Sequence, residues 1–319
     1  MEALRDKLGK IGLIPVVVFD KAEYAVPTAK AMIEGGLPVM EVTLRTDAAI
    51  ESMKLIKKEC PEIILGAGTV LSVEQAKAAI DTGCEFIVSP GFNDEVVQYC
   101  IDNNILVTPG CVTPTEIEHA LSFGINVLKF FPASIYGGMP ACKALHGPYR
   151  MVKFVPTGGV SLDNLTEYAD KDFVHAIGGG WLCSTADMAS GNYAKITETV
   201  KKSIEVLLGF EIAHIGMNMD NKDVSMELAK ELSYAFGMNM KEGNSSNFAG
   251  SFFEVLNRQY KGANGHIAVK TNNIDRAIYY LEQRGYKMDE ESTSEKNGKK
   301  VAIYLENEFG GYAIHLLQK

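Results

Sequence analysis

Short apolar runs alternate with amphipathic, helix-like stretches over most of the chain. Between residues 13 and 207 the helix-like stretches include AEYAVPTAKAMIEGG and SVEQAKAAIDTG, both of which end in glycine. Runs rich in Val, Ile and Phe that alternate with helices are typical of a parallel sheet. The apolar runs are LIPVVVF (13–19), PVMEVTL (38–44), EIILGAGT (62–69), EFIVSP (85–90), ILVTP (105–109), NVLKFFP (126–132), MVKFVPT (151–157) and FVHAIGG (173–179).

The number of runs distinguishes between two parallel-sheet architectures. Eight strand–helix units within roughly 200 residues predict a compact (β/α)8 TIM barrel. A doubly wound open sheet needs only five or six strands and leaves the last two runs without a place. We therefore expect a barrel over residues 1–207.

A different pattern begins after residue 207. The segments HIGMNMDNKD (214–223) and HIAVKTNNID (266–275) match at an offset of 52 residues, and a helix-like stretch follows each. Each half then continues into strand-like runs that end in FFEVL (252–256) and YAIHLL (312–317). The repeat predicts a smaller α+β domain of two βαβββ modules at 212–319, joined to the barrel by a linker at 208–211.

Composition and charge narrow the possible partners. The chain is 46% hydrophobic and 22% charged, and its net charge of -9 disfavours nucleic acid or an anionic membrane as a partner. The six cysteines form no C-x-x-C pair, so we expect reduced thiols in a cytoplasmic protein. The first apolar run is too short to span a membrane. A small anionic substrate remains compatible with this charge.

Two charged residues occur inside predicted buried strands. Lys129 interrupts VLKFFP, and alternation along MEVTLRT turns Glu41 inward and places Arg45 near the barrel mouth. A buried ion pair rarely stabilises a protein more than apolar residues of equal volume, so a purely structural role explains the pair poorly. Burial favours a neutral amine, which can attack a carbonyl and form a Schiff base, and a nearby carboxylate can carry protons.

Two glycine-rich loops follow the seventh and eighth strands. They read TGGVS (157–161) and IGGGW (177–181). TIM barrels often bind phosphate at these two loops, because backbone N–H groups approach an anion closely where side chains are absent. The alternative is that these glycines serve only tight turns. We interpret the pair of loops as a site for phosphate or a similar anion.

Taken in order, the motifs EVTLRT, GAGTV, SPG, KFFPA, PTGG and IGG-x-W resemble those of 2-keto-3-deoxy-6-phosphogluconate and 4-hydroxy-2-oxoglutarate aldolases over about residues 5–207. The resemblance implies a class I aldolase that is a homotrimer of barrels and needs no metal or other cofactor. Lys129 would then be the Schiff-base lysine and Glu41 the proton shuttle. Arg45 and Thr69 would hold the pyruvyl carboxylate, and Pro90 and Phe131 would shape the pocket. The distal phosphate would lie on Thr157, Gly158, Gly159, Gly179 and Gly180.

The chain departs from this pattern at one position. Phosphate-specific members usually have a serine before the tryptophan, where this chain has Gly180. The backbone N–H is kept, but a hydroxyl donor worth about 0.5–1.5 kcal/mol is lost. We therefore expect weaker selection for the phosphorylated substrate, which makes 4-hydroxy-2-oxoglutarate a serious candidate.

The second region resembles the glyoxalase, or vicinal-oxygen-chelate, superfamily, in which paired βαβββ modules enclose a metal. The resemblance implies ligands at His214, Glu254, His266 and His315, although the last position usually holds Glu in glyoxalases. Such a donor set suits Zn²⁺, Ni²⁺, Fe²⁺ or Mn²⁺. A degenerate domain that serves oligomerisation or effector binding is the alternative.

These patterns together predict a cytoplasmic aldolase acting on a small 2-keto acid, with no nucleic-acid or membrane partner. Two other functions stay open. One is a non-catalytic barrel that senses sugar acids or phosphate, in which case Lys129 carries no chemistry. The other is a bifunctional protein with a metal-dependent isomerase or lyase in the second domain.

Overall fold

A computed structural model describes residues 1–319 and divides them into two compact units, Met1–Leu207 and Leu208–Lys319. The first unit contains eight short strands, and each lies within one of the predicted apolar runs. The strands are β1 (Leu13–Val17), β2 (Val39–Thr43), β3 (Ile64–Gly68), β4 (Phe86–Val88), β5 (Leu106–Thr108), β6 (Val127–Phe130), β7 (Lys153–Pro156) and β8 (Ile177–Gly179).

None of the helices combines the length and the apolar composition that spanning a bilayer requires.

The strands of the first unit form a closed parallel sheet. Six of them are hydrogen-bonded in the order β5-β4-β3-β2-β1-β8, and β6 pairs with β7. Isolated bridges join the two pieces: Gly110 to Lys129 at one seam, and Phe154 to Val174 and Thr157 to Gly178 at the other. The predicted α/β barrel is therefore confirmed.

Helices follow the strands and surround the barrel. Several begin at a side-chain cap; Thr113, for example, forms a reciprocal capping box with Glu116. The helices of this region are α1 (Glu2–Ile11), α2 (Ala25–Glu34), α3 (Ala49–Glu59), α4 (Val73–Ile80), α5 (Asp94–Asp102), α6 (Pro114–Ser122), α7 (Gly138–His146), α8 (Thr166–Ala169), α9 (Thr185–Ala189) and α10 (Tyr193–Leu208).

The barrel interior is filled by pairing large side chains with glycines on neighbouring strands. Phe86 on β4 is 1% exposed, and its ring lies where a side chain on Gly66 of β3 would be. A Cβ at Gly66 would come within 2.2 Å of that ring. The glycines of the GAG sequence thus provide internal space in the barrel.

The second unit has the element order β-α-β-β-β twice over. The elements are β9 (Glu211–Asn218), α11 (Lys222–Phe236), β10 (Met240–Glu242), β11 (Ser246–Ala249), β12 (Phe253–Leu256), β13 (Gly265–Thr271), α12 (Ile274–Gln283), β14 (Met288–Lys296), β15 (Lys299–Phe309) and β16 (Tyr312–Gln318). One eight-stranded sheet runs in the order β10-β11-β12-β9-β13-β16-β15-β14, so the two halves meet where β9 pairs antiparallel with β13.

The connection before the second sheet is shorter than the predicted linker at 208–211. Helix α10 continues to Leu208 and β9 already begins at Glu211, which leaves only Gly209 and Phe210 between them. Gly209 has φ +53°, a left-handed conformation that ends a helix at little cost for glycine.

The contact between Gly66 and Phe86 leads to a stability prediction. We expect Gly66→Ala to destabilise the barrel by about 1–3 kcal/mol, because the added methyl group overpacks a filled interior. Urea unfolding followed by the fluorescence of Trp181, the single tryptophan, measures this change. Gly91→Ala is the control, since a Cβ there meets nothing within 4 Å. Equal unfolding midpoints for the two variants would contradict the packing argument.

Candidate functional site

A lysine and a glutamate meet inside the barrel. Lys129 on β6 and Glu41 on β2 are each 3% exposed, and Lys129 Nζ lies 3.1 Å from Glu41 Oε1. The backbone of Lys129 is fixed on the neighbouring chain segment, because its N–H donates to Pro109 and its carbonyl accepts from Cys111. The structure therefore places the two residues singled out by strand alternation in direct contact, on elements with little freedom to move.

Glu41 fits inside the barrel because β3 carries Gly68 beside it. A Cβ on Gly68 would lie 2.1 Å from Glu41 Oε1, so any larger residue would push the carboxylate away from Lys129. Sequence reasoning missed this role. The available signal was the second glycine of GAG, which aligns with the inward face of the neighbouring strand.

Arg45 and Thr69 also meet, at the ends of β2 and β3. Arg45 is exposed in the turn after β2, and its Nε donates to Thr69 Oγ1 over 2.9 Å. Thr69 has φ +58°, a left-handed conformation that a β-branched residue adopts only under strain of about 1–3 kcal/mol. Such strain is characteristic of functional sites, where the surrounding structure holds a side chain in one position.

The remaining predicted pocket residues lie on neighbouring loops. The ring of Phe131 lies 5.3 Å from Lys129 Nζ and also faces Gly158, where a Cβ would be 3.1 Å from the ring. Pro90 reaches the same strand indirectly, since its carbonyl packs on Gly110, the residue bridged to Lys129. Both residues are half-buried.

The two glycine-rich loops lie side by side. Thr157 pairs with Gly178 across the seam between β7 and β8. Gly158 and Gly159 have φ values of +87° and +78°, which favour glycine at both positions. Trp181 leaves room only for glycine at position 179, because a Cβ there would come within 1.6 Å of the indole ring. Gly180 is exposed, and the nearest atom to a Cβ at that position is a carbonyl oxygen 3.7 Å away.

The second unit contains a separate polar cluster on its sheet. His214 Nε2 and His266 Nε2 lie 3.1 Å apart, and both approach the same oxygen, Glu254 Oε2, at 3.0 and 3.2 Å. The ring nitrogens of His315 complete a group in which ligand atoms of the three histidines all lie within 4.8 Å of one another. The four residues named from the repeat are thus brought together.

The carboxylate of Glu254 is held in one orientation by its neighbours. Ser246 Oγ donates to Glu254 Oε1 over 2.6 Å, which turns Oε2 toward the two histidines. Burial alone would raise the pKa of Glu254, but hydrogen bonds from His214, His266 and Ser246 hold it well below its usual range. Ser246 was not predicted from the sequence, because its role depends on the pairing of β11 with β12.

His315 is buried without a hydrogen-bond partner on either ring nitrogen. Burial, followed by the neighbouring His266 and His214, lowers the pKa of His315 to about 3. Its ring stacks on Tyr304, with centroids 4.7 Å apart. A buried polar group without a partner costs free energy, so this arrangement is that of a neutral imidazole kept as an acceptor.

Comparison with known proteins places the first unit in a family. The model of the family "Aldolase: KDPG and KHG aldolase" matches residues 4–199. KDPG is 2-keto-3-deoxy-6-phosphogluconate and KHG is 4-hydroxy-2-oxoglutarate. The family match ends at residue 199 and does not extend into the second unit.

Individual relatives agree with the family match. The chain is 44% identical over 207 residues to a 2-dehydro-3-deoxy-phosphogluconate aldolase of Treponema pallidum, covering 65% of this chain and 99% of the relative. It is 39% identical to a KHG/KDPG aldolase of Escherichia coli K12, covering 60% of this chain and 91% of the relative.

A solved structure with the same fold is the KDPG aldolase of Legionella pneumophila, in which pyruvate was captured as a covalent carbinolamine intermediate. Its TM-score is 0.60 at 35% identity, and the alignment covers 62% of this chain and 96% of that one.

The lowered pKa of His315 makes the stability of the second unit depend on pH. Its folded-state pKa of about 3 lies below the ordinary value of 6.5, so the unfolded chain takes up the proton first. The stability contributed by neutral His315 is therefore present above about pH 6.5 and is lost as the pH falls towards 3. Hydrogen–deuterium exchange of the amides in β13 and β16, corrected for intrinsic rates, should show weaker protection at pH 4.5 than at pH 7.5 in the presence of a chelator.

His315→Phe is the matched variant for this measurement, because it keeps a planar ring without the titrating nitrogens. We expect its loss of protection at low pH to be smaller than that of the unsubstituted chain. An unchanged loss would assign the pH dependence to other groups.

Proposed function

The chain belongs to the KDPG and KHG aldolase family and is a class I aldolase, and we propose that Lys129 is its Schiff-base lysine, with Glu41 as the proton shuttle. The observation that carries this assignment is the buried 3.1 Å contact between Lys129 Nζ and Glu41 Oε1. A lysine and a carboxylate this close in a site of low polarity can exchange a proton, which leaves a neutral amine able to act as a nucleophile.

The reaction follows from these two groups. Neutral Lys129 adds to the 2-keto carbon to form a carbinolamine, and loss of water gives an iminium that accepts electrons. Glu41 removes the proton of the C4 hydroxyl as the C3–C4 bond breaks, which releases an aldehyde and leaves an enamine on Lys129. Glu41 then returns the proton to C3, and water hydrolyses the iminium to pyruvate and free Lys129.

The substrate ends are bound by groups on either side of this pair. Arg45 and Thr69 are suited to hold the pyruvyl carboxylate, because a guanidinium and a hydroxyl donate to its two oxygens. The N–H groups of the two glycine-rich loops are suited to the distal anion. The aldehyde product is glyceraldehyde 3-phosphate from 2-keto-3-deoxy-6-phosphogluconate and glyoxylate from 4-hydroxy-2-oxoglutarate. The missing hydroxyl at Gly180 supports the use of both substrates.

We also infer a homotrimer formed through the barrel unit and a cytoplasmic location. The barrel unit exposes the large apolar side chains of Leu71, Ile135, Tyr136 and Met151, which contacts between subunits of the proposed trimer would cover.

For the second unit we propose a glyoxalase-like fold that binds a divalent metal, and the convergence of three imidazoles and one carboxylate carries this assignment. The residues present fit such an ion. Both ring nitrogens of buried His315 lack a partner, and three imidazoles with one carboxylate are a donor set for Zn²⁺, Ni²⁺, Fe²⁺ or Mn²⁺. His214, His266, Glu254 and His315 would hold the ion, and Ser246 would orient Glu254.

When bound, such a metal would act as a Lewis acid that polarises an oxygen of a small ligand, as in an isomerase or lyase. The ring of Tyr304 stacks on His315, and Lys261, which is paired with Asp289, lies 5.5 Å from the centre of the Tyr304 ring.

The aldolase assignment is tested by trapping with pyruvate and borohydride. We expect a reduced pyruvyl adduct on Lys129, found by peptide mass spectrometry, because borohydride reduces the iminium to a stable secondary amine. Lys129→Ala should lose both the adduct and aldol cleavage. Lys153→Ala is the control, since Lys153 is an exposed lysine on the neighbouring strand β7. An adduct on another lysine, or none in folded protein, would refute the role of Lys129 and favour a barrel that only binds its ligand.

The metal site is tested on the full chain by elemental analysis after incubation with Zn²⁺ or Ni²⁺ and desalting. We expect about one metal ion per chain for a single four-ligand site. His266→Ala should abolish binding, and Ser246→Ala should weaken it about 10- to 100-fold, because outer-shell partners orient the ligands. His119→Ala is the control, since His119 is an exposed histidine of the barrel paired with Asp94. Failure of the unsubstituted chain to retain metal would overturn the proposal.

A further inference from the structure

The loop after β6 places a hydroxyl group without a hydrogen-bond partner next to the glycine-rich loops. It continues the pairing of β6 and β7 beyond the strands, because Ala133 N donates to Thr157 O over 2.7 Å and Ser134 N donates to Gly158 O over 3.0 Å. These two bonds fix Ser134 beside the loop that follows β7. Ser134 is exposed, and its hydroxyl forms no hydrogen bond within the chain.

The hydroxyl lies directly against Gly159. A Cβ on Gly159 would be 2.2 Å from Ser134 Oγ and 2.3 Å from Ser134 Cβ, so the serine side chain takes up the space that a side chain at Gly159 would need. The donor is thus positioned next to backbone that is suited to an anion. It is also free to rotate toward a ligand, because nothing in the chain competes for it.

The loop after β8, which also contributes to this region, carries no hydroxyl group at position 180. Gly180 is exposed and has open space in the direction of a side chain, with the nearest atom 3.7 Å from a Cβ. The loops that carry Gly159 and Gly180 are adjacent, since Thr157 pairs with Gly178. Of the three loops that meet here, only the one after β6 offers an exposed, unpaired side-chain hydroxyl next to the glycines.

We propose that Ser134 is a specificity-determining residue of this aldolase, donating its hydroxyl hydrogen to the distal anionic group of the substrate. The proposal rests on the proposed function of the barrel, because the reacting end of the substrate must lie at Lys129. The distal group is an anionic oxygen, either of a phosphate or of a carboxylate. Ser134 supplies on one side of the loop pair the hydroxyl donor that Gly180 does not supply on the other.

The test compares KM and kcat of Ser134→Ala on three substrates. These are 2-keto-3-deoxy-6-phosphogluconate, its unphosphorylated form 2-keto-3-deoxygluconate, and 4-hydroxy-2-oxoglutarate. We expect KM to rise about tenfold for a substrate whose distal anion uses Ser134, with kcat little changed, because one hydrogen bond to a charged group is lost far from the reacting carbons. KM for the unphosphorylated sugar acid should stay the same.

The pattern of the rise identifies the anion. A rise confined to the phosphorylated substrate assigns the contact to phosphate, and a rise confined to 4-hydroxy-2-oxoglutarate assigns it to carboxylate. No change for either substrate, or an equal rise for all three, would overturn the proposal. Ser134→Thr keeps a hydroxyl and should retain a KM near that of the unsubstituted enzyme. Ser122→Ala is the control, since Ser122 is an exposed serine on α6 whose hydroxyl donates to His119 O.

A rescue experiment separates this role from damage to the loop. Adding Gly180→Ser to Ser134→Ala should restore most of the lost affinity, because the open space at position 180 accepts a side chain that carries a hydroxyl. No recovery would count against a shared hydroxyl function. Trapping of pyruvate on Lys129 is measured in parallel. Its absence in the unsubstituted enzyme refutes the proposed function, whereas normal trapping with an unchanged KM in Ser134→Ala refutes only the role of Ser134.

Discussion

The chemistry proposed for the barrel depends on the contact between the amine of Lys129 and the carboxylate of Glu41 in a region that excludes water. Charges buried this deeply are costly unless they are paired, and the pairing seldom repays the whole cost of desolvation. The chain supports the arrangement with Gly68, which leaves room for Glu41, and with backbone bonds that fix Lys129. The surrounding strands therefore hold the two side chains in contact. This contact keeps the amine of Lys129 close to a proton acceptor, the carboxylate of Glu41.

The polar cluster of the second unit is assembled in a different way from the pair in the barrel. Its members come from equivalent places in two copies of one module, so a repeated backbone brings four side chains to a common point. His214 and His266 lie on first strands, and Glu254 and His315 lie on last strands. The two copies differ in charge, since one contributes a carboxylate where the other contributes an imidazole. In the proposed metal site, the two copies would therefore supply three imidazole ligands and one carboxylate ligand.

Much of this architecture could be predicted from the sequence, because the spacing of apolar residues along the chain indicates which positions are buried. Strand alternation turned Glu41 and Lys129 toward the same interior, and the count of apolar runs favoured a barrel. The 52-residue offset placed the two histidines at matching positions. The space beside Glu41, the left-handed backbone of Thr69 and the bond between Ser246 and Glu254 could not be predicted. Each depends on contacts between strands whose register becomes known only in three dimensions. The connection between the units is shorter than the predicted linker for a local reason, since helix α10 continues as far as Leu208 before Gly209 ends it.

The adjacent glycines at 179 and 180 differ in how freely they can change over evolutionary time. Any side chain at Gly179 would collide with the indole of Trp181, whose Nε1 is itself hydrogen-bonded to Ser203, so a substitution there requires compensating changes elsewhere. Gly180 faces open space and can be replaced by a single mutation. On the proposed function, a change in preference between phosphorylated and unphosphorylated keto acids would need only a substitution at position 180, with the fold unaltered.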